Sequence, residues 1–172
     1  MRMPLPPSRR PPGRMSAAMP VEATCVREGC VRPLRLAFAA DSHAVRQALA
    51  ATLAHPVLAQ ADLTFAGQVE IVLAEVLNNI VEHGYANGSG TIRLVGRRHR
   101  GGVLFRITDL GRPFPGGTLP EGQPPDPGSD GNPPEGGFGW FLIRRLSCAL
   151  RYRRGQGRNR LLVLLCPEQS EN

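Results

Sequence analysis

The chain has 172 residues, 41% of them hydrophobic, and a formal net charge of +7, which is the length of one domain with a core of its own and a tail. All 21 basic residues are arginine, so a Walker-type phosphate loop and a protein-kinase fold, each of which needs a lysine, are both excluded. Six arginines set against Glu22 and Glu28 place roughly +4 of the charge in the first ~33 residues and leave about +3 for the remainder, a distribution that argues against a nucleic-acid-binding domain.

Residues 1–32 are rich in proline, arginine and small residues without periodicity, and are expected to form a disordered tail. Met15 and Met19 offer alternative starts. The basic N-terminus has no apolar run behind it, so no secretory signal is read there, and no apolar run reaches the ~18 residues of a membrane span. Cys25 and Cys30 lie in the tail at a spacing that matches no strong zinc pattern. Cys148 and Cys166 sit in apolar surroundings and are expected as small core residues in a reducing cytoplasm.

A domain over 33–168 follows. A strand is predicted over Leu34–Ala39, then a helix capped by Asp41 or Ser42 that runs to about Ala54 and ends at Pro56. Asp62 to Glu82 reads as a long helix, closed by Gly84 and Asn87-Gly88. Strands over Thr91–Arg98 and Val103–Thr108 flank a Gly101-Gly102 turn. The Gly- and Pro-dominated stretch from Gly111 to Gly137 is too long for an ordinary connection; such stretches are functional lids or disordered segments. A helix starts near Gly139 and runs to about Ser147. A closing hairpin pairs Leu150–Arg154 with Arg160–Cys166 around Gly155-Gln-Gly157. The pattern predicts an α+β fold, a mixed, mostly antiparallel sheet covered by helices on one face.

Three segments carry chemistry. In Glu75-Val-Leu-Asn-Asn79-Ile-Val-Glu-His83-Gly-Tyr, an acid, an amide and an imidazole recur every four residues in an apolar run, so Glu75, Asn79 and His83 share one helix face. Such a carboxylate can serve as a base and such a carboxamide as an oxygen ligand for a hard cation; a solvated polar face is the alternative. Asn78 is rotated about 100° from Asn79 around the helix, so spacing favours Asn79. In Thr108-Asp109-Leu-Gly111-Arg-Pro-Phe114, a carboxylate at a strand end can meet an amino group in a pocket, with Gly111 admitting a flat ring; a simple turn is the alternative. In Gly136-Gly137-Phe-Gly139-Trp140, glycines leading into an apolar helix present N–H groups suited to phosphate; a flexible loop is the alternative.

In this order and spacing the three segments resemble the N, G1 and G2 boxes of the ATPase superfamily that contains gyrase, heat-shock chaperones, histidine kinases and MutL. They are similar in particular to the small RsbW-type anti-sigma-factor serine kinases. The Glu-x-x-x-Asn-x-x-x-His-Gly-Tyr run, the Gly-Gly-Phe-Gly-Trp-Phe-Leu-Ile helix start and the last strand after Gly157 carry that resemblance over residues 34–166. It implies the two-layer Bergerat ATP-binding fold, with ATP and Mg²⁺ as cofactors. It further implies Glu75 as the base toward a substrate serine, Asn79 as the Mg²⁺ ligand and His83 as support for that end of the site. Asp109 would bind the adenine amino group, Gly111 would make room for the ring, and Gly137 and Gly139 would meet the phosphates. The last strand carries Asn159, Arg160 and Leu161 where the family often has a threonine, and the lid from Phe114 to Glu135 is unusually rich in proline.

The resemblance implies a cytoplasmic regulatory serine/threonine kinase and anti-sigma factor. Its partners would be an anti-sigma-factor antagonist of STAS type, a sigma factor and, as in many members, a second copy of itself. The alternative is a module of this fold that regulates by binding alone. Direct nucleic-acid binding is not expected, since no aromatic–basic interleaving or reader motif is present, and neither is membrane association.

Overall fold

A computed structural model of the chain describes residues 31–86, 88–123 and 138–167. Residues 1–30 of the expected tail, with Cys25 and Cys30, lie outside the described residues, as do Gly137 and the greater part of the expected lid.

Five strands and three helices follow one another as β1 (Leu34–Ala39), α1 (Ser42–Leu53), α2 (Leu63–Asn79), β2 (Thr91–His99), β3 (Gly102–Asp109), α3 (Phe138–Leu146), β4 (Ala149–Gly155) and β5 (Arg158–Leu165). Local chemistry sets most boundaries. Asp41 adopts extended backbone and its Oδ1 accepts from the Ala44 N–H at 2.8 Å, which starts α1. Asp62 does the same for α2, accepting from the Phe65 N–H at 2.7 Å. The β4–β5 turn places Gln156 (φ 51) and Gly157 (φ 71) in the left-handed region that a two-residue hairpin demands.

Two boundaries differ from expectation. The β2–β3 turn is formed by Arg100 (φ 47) and Gly101 (φ 82), one residue earlier than the glycine pair indicates. Gly102 is already in the ladder opposite His99, where its missing side chain lets the Leu165 carbonyl approach. The long helix does not stop at Gly84. After Asn79 it widens into a π-helical turn, Ile80–Tyr85, that contains Gly84 and closes at Ala86 (φ 22).

The sheet order is β1-β2-β3-β5-β4, and among the described residues all four pairings are antiparallel. β5 enters between β3 and β4, which brings residues some fifty positions apart into register, Asp109 opposite Asn159. Alternate strand residues point to one face. On that face Ile92, Leu94, Phe105, Ile107, Leu161, Val163 and Leu165 are buried against Val69, Val72, Leu73, Val76 and Leu77 of α2, with Val45 and Ile143 from the other helices. The result is a two-layer α+β sandwich.

Cys148 and Cys166 are not core residues. They sit just before β4 and just after β5, where the sheet ends, and Cys148 is exposed while Cys166 is half-buried. No helix among the described residues is long and apolar enough to cross a membrane.

Candidate nucleotide site

The stripe on α2 lies at the seam with α3. Valines and leucines at 69, 72, 73, 76 and 77 hold the helix to the sheet, which turns Glu75 and Asn79 to the flank, half-buried, and leaves Asn78 and His83 exposed. Asn79 Nδ2 donates to the Glu75 carbonyl oxygen at 2.6 Å. That bond uses the amide's donor end and points Oδ1 away from the helix backbone, so the side chain presents an oxygen.

Gly139, in the first turn of α3, is packed against both residues. A methyl group in place of its hydrogen would lie 2.6 Å from Glu75 Oε2 and 3.5 Å from Asn79 Nδ2. The glycine is therefore what lets α3 close onto the stripe. Glu75, Asn78, Asn79, Glu82, His83, Phe138, Gly139 and Trp140 line an open cavity of about 410 Å³. Asn79 and His83 also line a second, more apolar cavity of about 200 Å³, whose other walls include Ile80, Asp109, Phe114 and Asn159. The two cavities adjoin at these shared residues; the carboxylate–amide pair lies on the wall of one and Asp109 on the wall of the other.

Asp109 is 5% exposed. Its Oδ1 accepts from the Gly111 N–H and from Asn159 Nδ2, both at 2.8 Å, while Oδ2 makes no hydrogen bond to a described residue. Asn159 is itself held on every side. Its Nδ2 also reaches the carbonyls of Gly111 (3.2 Å) and Arg112 (3.1 Å), and its Oδ1 accepts from Tyr152 Oη (2.7 Å) and Arg154 Nη1 (2.6 Å). Three acceptors on one end and two donors on the other leave a single sensible orientation of the amide. Arg154 Nη1 donates in addition to the Gly111 carbonyl at 2.9 Å. A buried carboxylate on a cavity wall, with one oxygen already bonded and acceptor capacity left on the other, is suited to accept from an exocyclic amino group.

The π-helical turn and the end of β3 are joined across this floor. The Arg112 N–H donates to the Gly84 carbonyl at 2.8 Å, and the Leu110 N–H to Tyr85 Oη at 3.0 Å. A methyl at Gly111 would lie 2.8 Å from that same Gly84 oxygen. Gly111 thus makes room for a neighbouring backbone, a different close approach from the one expected. Gly111 does not line either cavity. Phe114 stands edge-on to Trp140 at 5.2 Å and to Tyr152 at 4.9 Å, tying the segment after β3 to α3 and β4. Arg144 is exposed, and its Nε donates to the Pro120 carbonyl at 2.7 Å, which seats the start of the lid on α3.

Sequence reasoning did not assign Tyr152, Arg154, Phe114 or Trp140 to the site, and saw Asn159 only as a departure. A signal for Asn159 was available: in Asn159-Arg-Leu161-Leu-Val163-Leu-Leu165 it stands on the inward side of the alternation, a polar residue at a core position. The donor set suits Mg²⁺, since an amide oxygen and a carboxylate are hard ligands and this ion binds through one or two protein oxygens plus phosphates and water. Among the described residues no cluster of three or more His, Cys, Asp or Glu could hold a metal alone.

No curated protein matches the chain by sequence. Among solved structures, the crystal structure of the RsbU and RsbW domains of Rv1364c from Mycobacterium tuberculosis matches with a TM-score of 0.51 at 20% sequence identity, covering 78% of this chain and 32% of that one. At that identity the likeness is one of fold, and this chain spans about a third of the other's length. The family model for the histidine kinase-like ATPase domain matches residues 25–164. The chain belongs to the histidine kinase-like ATPase domain family.

Proposed function

We propose that this chain is a regulatory serine/threonine kinase that binds ATP with Mg²⁺, phosphorylates a serine on a small antagonist protein, and restrains a sigma factor as one arm of a partner-switching system. The observation that carries the reading is the convergence of Glu75, Asn79 and Gly139 on one cavity and of Asp109 on a second that adjoins it at Asn79 and His83. Membership of an ATPase-domain family supports ATP as the ligand, and the RsbW-domain neighbour supports the regulatory class.

In this reading Asp109 Oδ2 accepts from the adenine amino group, and the Gly111 N–H and Asn159 hold Oδ1 so that the free oxygen stays aimed. Asn79 Oδ1 holds Mg²⁺, which when bound neutralises charge on the phosphates. The start of α3, with Gly139 in its first turn, lies against the phosphates, where a helix N-terminus favours anions. Glu75 accepts the proton of the attacking serine hydroxyl. The Glu75 carboxylate, half-buried beside Asn79, is placed for that work, and positioning together with charge neutralisation supplies most of the rate.

The test is incubation of the full chain with γ-labelled ATP, Mg²⁺ and the antagonist encoded nearest to it. Label on a serine of the antagonist is the expected result. Complex formation without label would instead establish the binding-only alternative, in which the fold regulates its partner without transferring phosphate.

A further inference from the structure

The helices cover one face of the sheet. The other face, set by the same alternation, carries Arg35 on β1, Arg93 and Arg97 on β2, Arg106 on β3, Arg151 and Arg153 on β4, and Arg158 and Arg160 on β5, all eight exposed. The register arranges them in rows. One row runs Arg93, Thr108, Arg160, Arg153 across four neighbouring strands, and the next runs Arg35, Val95, Arg106, Leu162, Arg151 across all five. A shallow depression of about 420 Å³ lies among Arg35, Arg93, Arg106, Arg158 and Arg160.

No acid offsets this charge on the sheet. The strands hold one acidic residue, Asp109, and it points to the helix side. Among the described residues none of the eight guanidinium groups has a hydrogen-bond partner, whereas Arg98, Arg144 and Arg154, which lie elsewhere, each donate to protein oxygens. Arg153 and Arg160 stand directly opposite each other, and like charges so placed destabilise a sheet. A fold gains nothing from such a cluster alone; an anionic partner would relieve it.

The remaining side chains on the face identify the partner's class. Val95, Leu104, Leu162 and Leu164 are half-buried between the arginines, and no outward position on the five strands carries Phe, Tyr or Trp; the one imidazole, His99, stands at the very end of β2. Sheets that bind single-stranded nucleic acid stack bases on aromatic residues in the middle of the face, and the middle of this face has arginine and aliphatic residues instead. A five-stranded face is wider than the major groove, which admits a helix or a two-stranded ribbon, and its apolar side chains are half-buried between the arginines where a bilayer anchor would need them protruding. Two copies meeting by this face would set arginine against arginine. Residues 1–32, with six arginines against two glutamates, supply no complementary charge.

We propose that the open face of the sheet is a docking surface for an acidic protein segment that combines carboxylates with aliphatic side chains. Forked guanidinium groups at Arg93, Arg106 and Arg160 bind the carboxylates, and Val95, Leu162 and Leu164 take the aliphatic groups. The face lies across the sheet from the nucleotide cavities, so both can be occupied together. The surface stands whether or not the chain transfers phosphate.

The test uses the full chain and a synthetic peptide of glutamate interspersed with leucine, titrated at near-physiological salt. Arg93→Glu with Arg160→Glu should weaken binding by about tenfold or more, while Arg46→Glu with Arg145→Glu, an equal change in net charge away from the face, should leave it within about twofold. Arg93→Gln with Arg160→Gln, which adds no carboxylate, should give an intermediate loss, with circular dichroism showing each variant folded. Equal losses in the two reversal variants would reduce the effect to net charge and overturn the proposal. So would tighter binding of a single-stranded DNA oligonucleotide or of phosphatidylglycerol vesicles than of the peptide, lost in the same face variant.

Discussion

Asn159 and Asp109, fifty residues apart in the chain, stand opposite each other in the β3–β5 ladder and share a 2.8 Å hydrogen bond from Asn159 Nδ2 to Asp109 Oδ1. The bond holds one oxygen of a carboxylate that lines the cavity. It also gives Asn159, in the region of the last strand where the family often has a threonine, a specific part: it positions the Asp109 carboxylate through a network that reaches Tyr152 and Arg154.

Replacing Asn159 with alanine strips partners from Asp109, Tyr152 and Arg154 at once. The expected cost is about 1–3 kcal/mol of folding stability, read from the shift in denaturant midpoint. Adenine-nucleotide affinity should fall as well, because Asp109 loses its aim. Nucleotide titration at a denaturant-free temperature well below the melting point separates the two effects.

Glu75→Gln keeps the shape of the side chain and removes its basicity. Phosphoryl transfer should drop by about 10²–10⁴-fold, the usual worth of a positioned general base, with nucleotide affinity little changed. Transfer at the wild-type rate in this variant would mean that some other group takes the serine proton.

Gly139→Ala puts a methyl 2.6 Å from Glu75 Oε2. The carboxylate must turn away, and a misplacement of that size costs about 10²-fold in rate. Stability should change little, since the displaced atom is the end of a flexible side chain. Single-turnover kinetics alongside a thermal melt would distinguish this outcome from a general loss of folding.

Leu77 is fully buried and Leu63 is 93% exposed, although both belong to α2. Leu77→Ala should cost about 2–5 kcal/mol through lost transfer energy and a cavity, and Leu63→Ala should stay within about 0.5 kcal/mol. Chemical denaturation of the two variants side by side checks whether α2 faces the sheet as described.

Burial, helped by the neighbouring Cys148, pushes the Cys166 thiol up from its ordinary 9.0 to about 11. The raised native value favours the protonated thiol. Its contribution to stability is therefore whole below pH 9 and is lost as pH rises from there through about 11. At pH 9 iodoacetamide should modify Cys166 roughly tens of times more slowly in the native chain than in the denatured one, because the thiolate is the reacting form. Mass spectrometry of peptides after timed alkylation gives both rates.

Much of this molecule is written locally. Asp41 and Asp62 start their helices by bonds to N–H groups three residues on. Alternation along each strand selects the buried face, and the four-residue interval places Glu75 and Asn79 side by side whatever surrounds them. These features depend on neighbours within a turn or two, so spacing along the chain was sufficient to find them. The π-helical turn was not legible, because it arises where Gly84 and Tyr85 bond to Arg112 and Leu110 of another segment. Nor was the burial of the cysteines, which depends on where the sheet ends and not on their apolar neighbours. Above all, the insertion of β5 between β3 and β4 decided which residues meet. That single long-range pairing sets Asn159 against Asp109 on one face and, on the other, joins the arginines of β4 and β5 to those of β1, β2 and β3. Sequence alone determined the elements and the polar stripe, through forces that act over a few residues. Only the tertiary structure decided what the stripe faces and what the far side of the sheet presents, because strand order and register are settled by packing between segments distant in the chain.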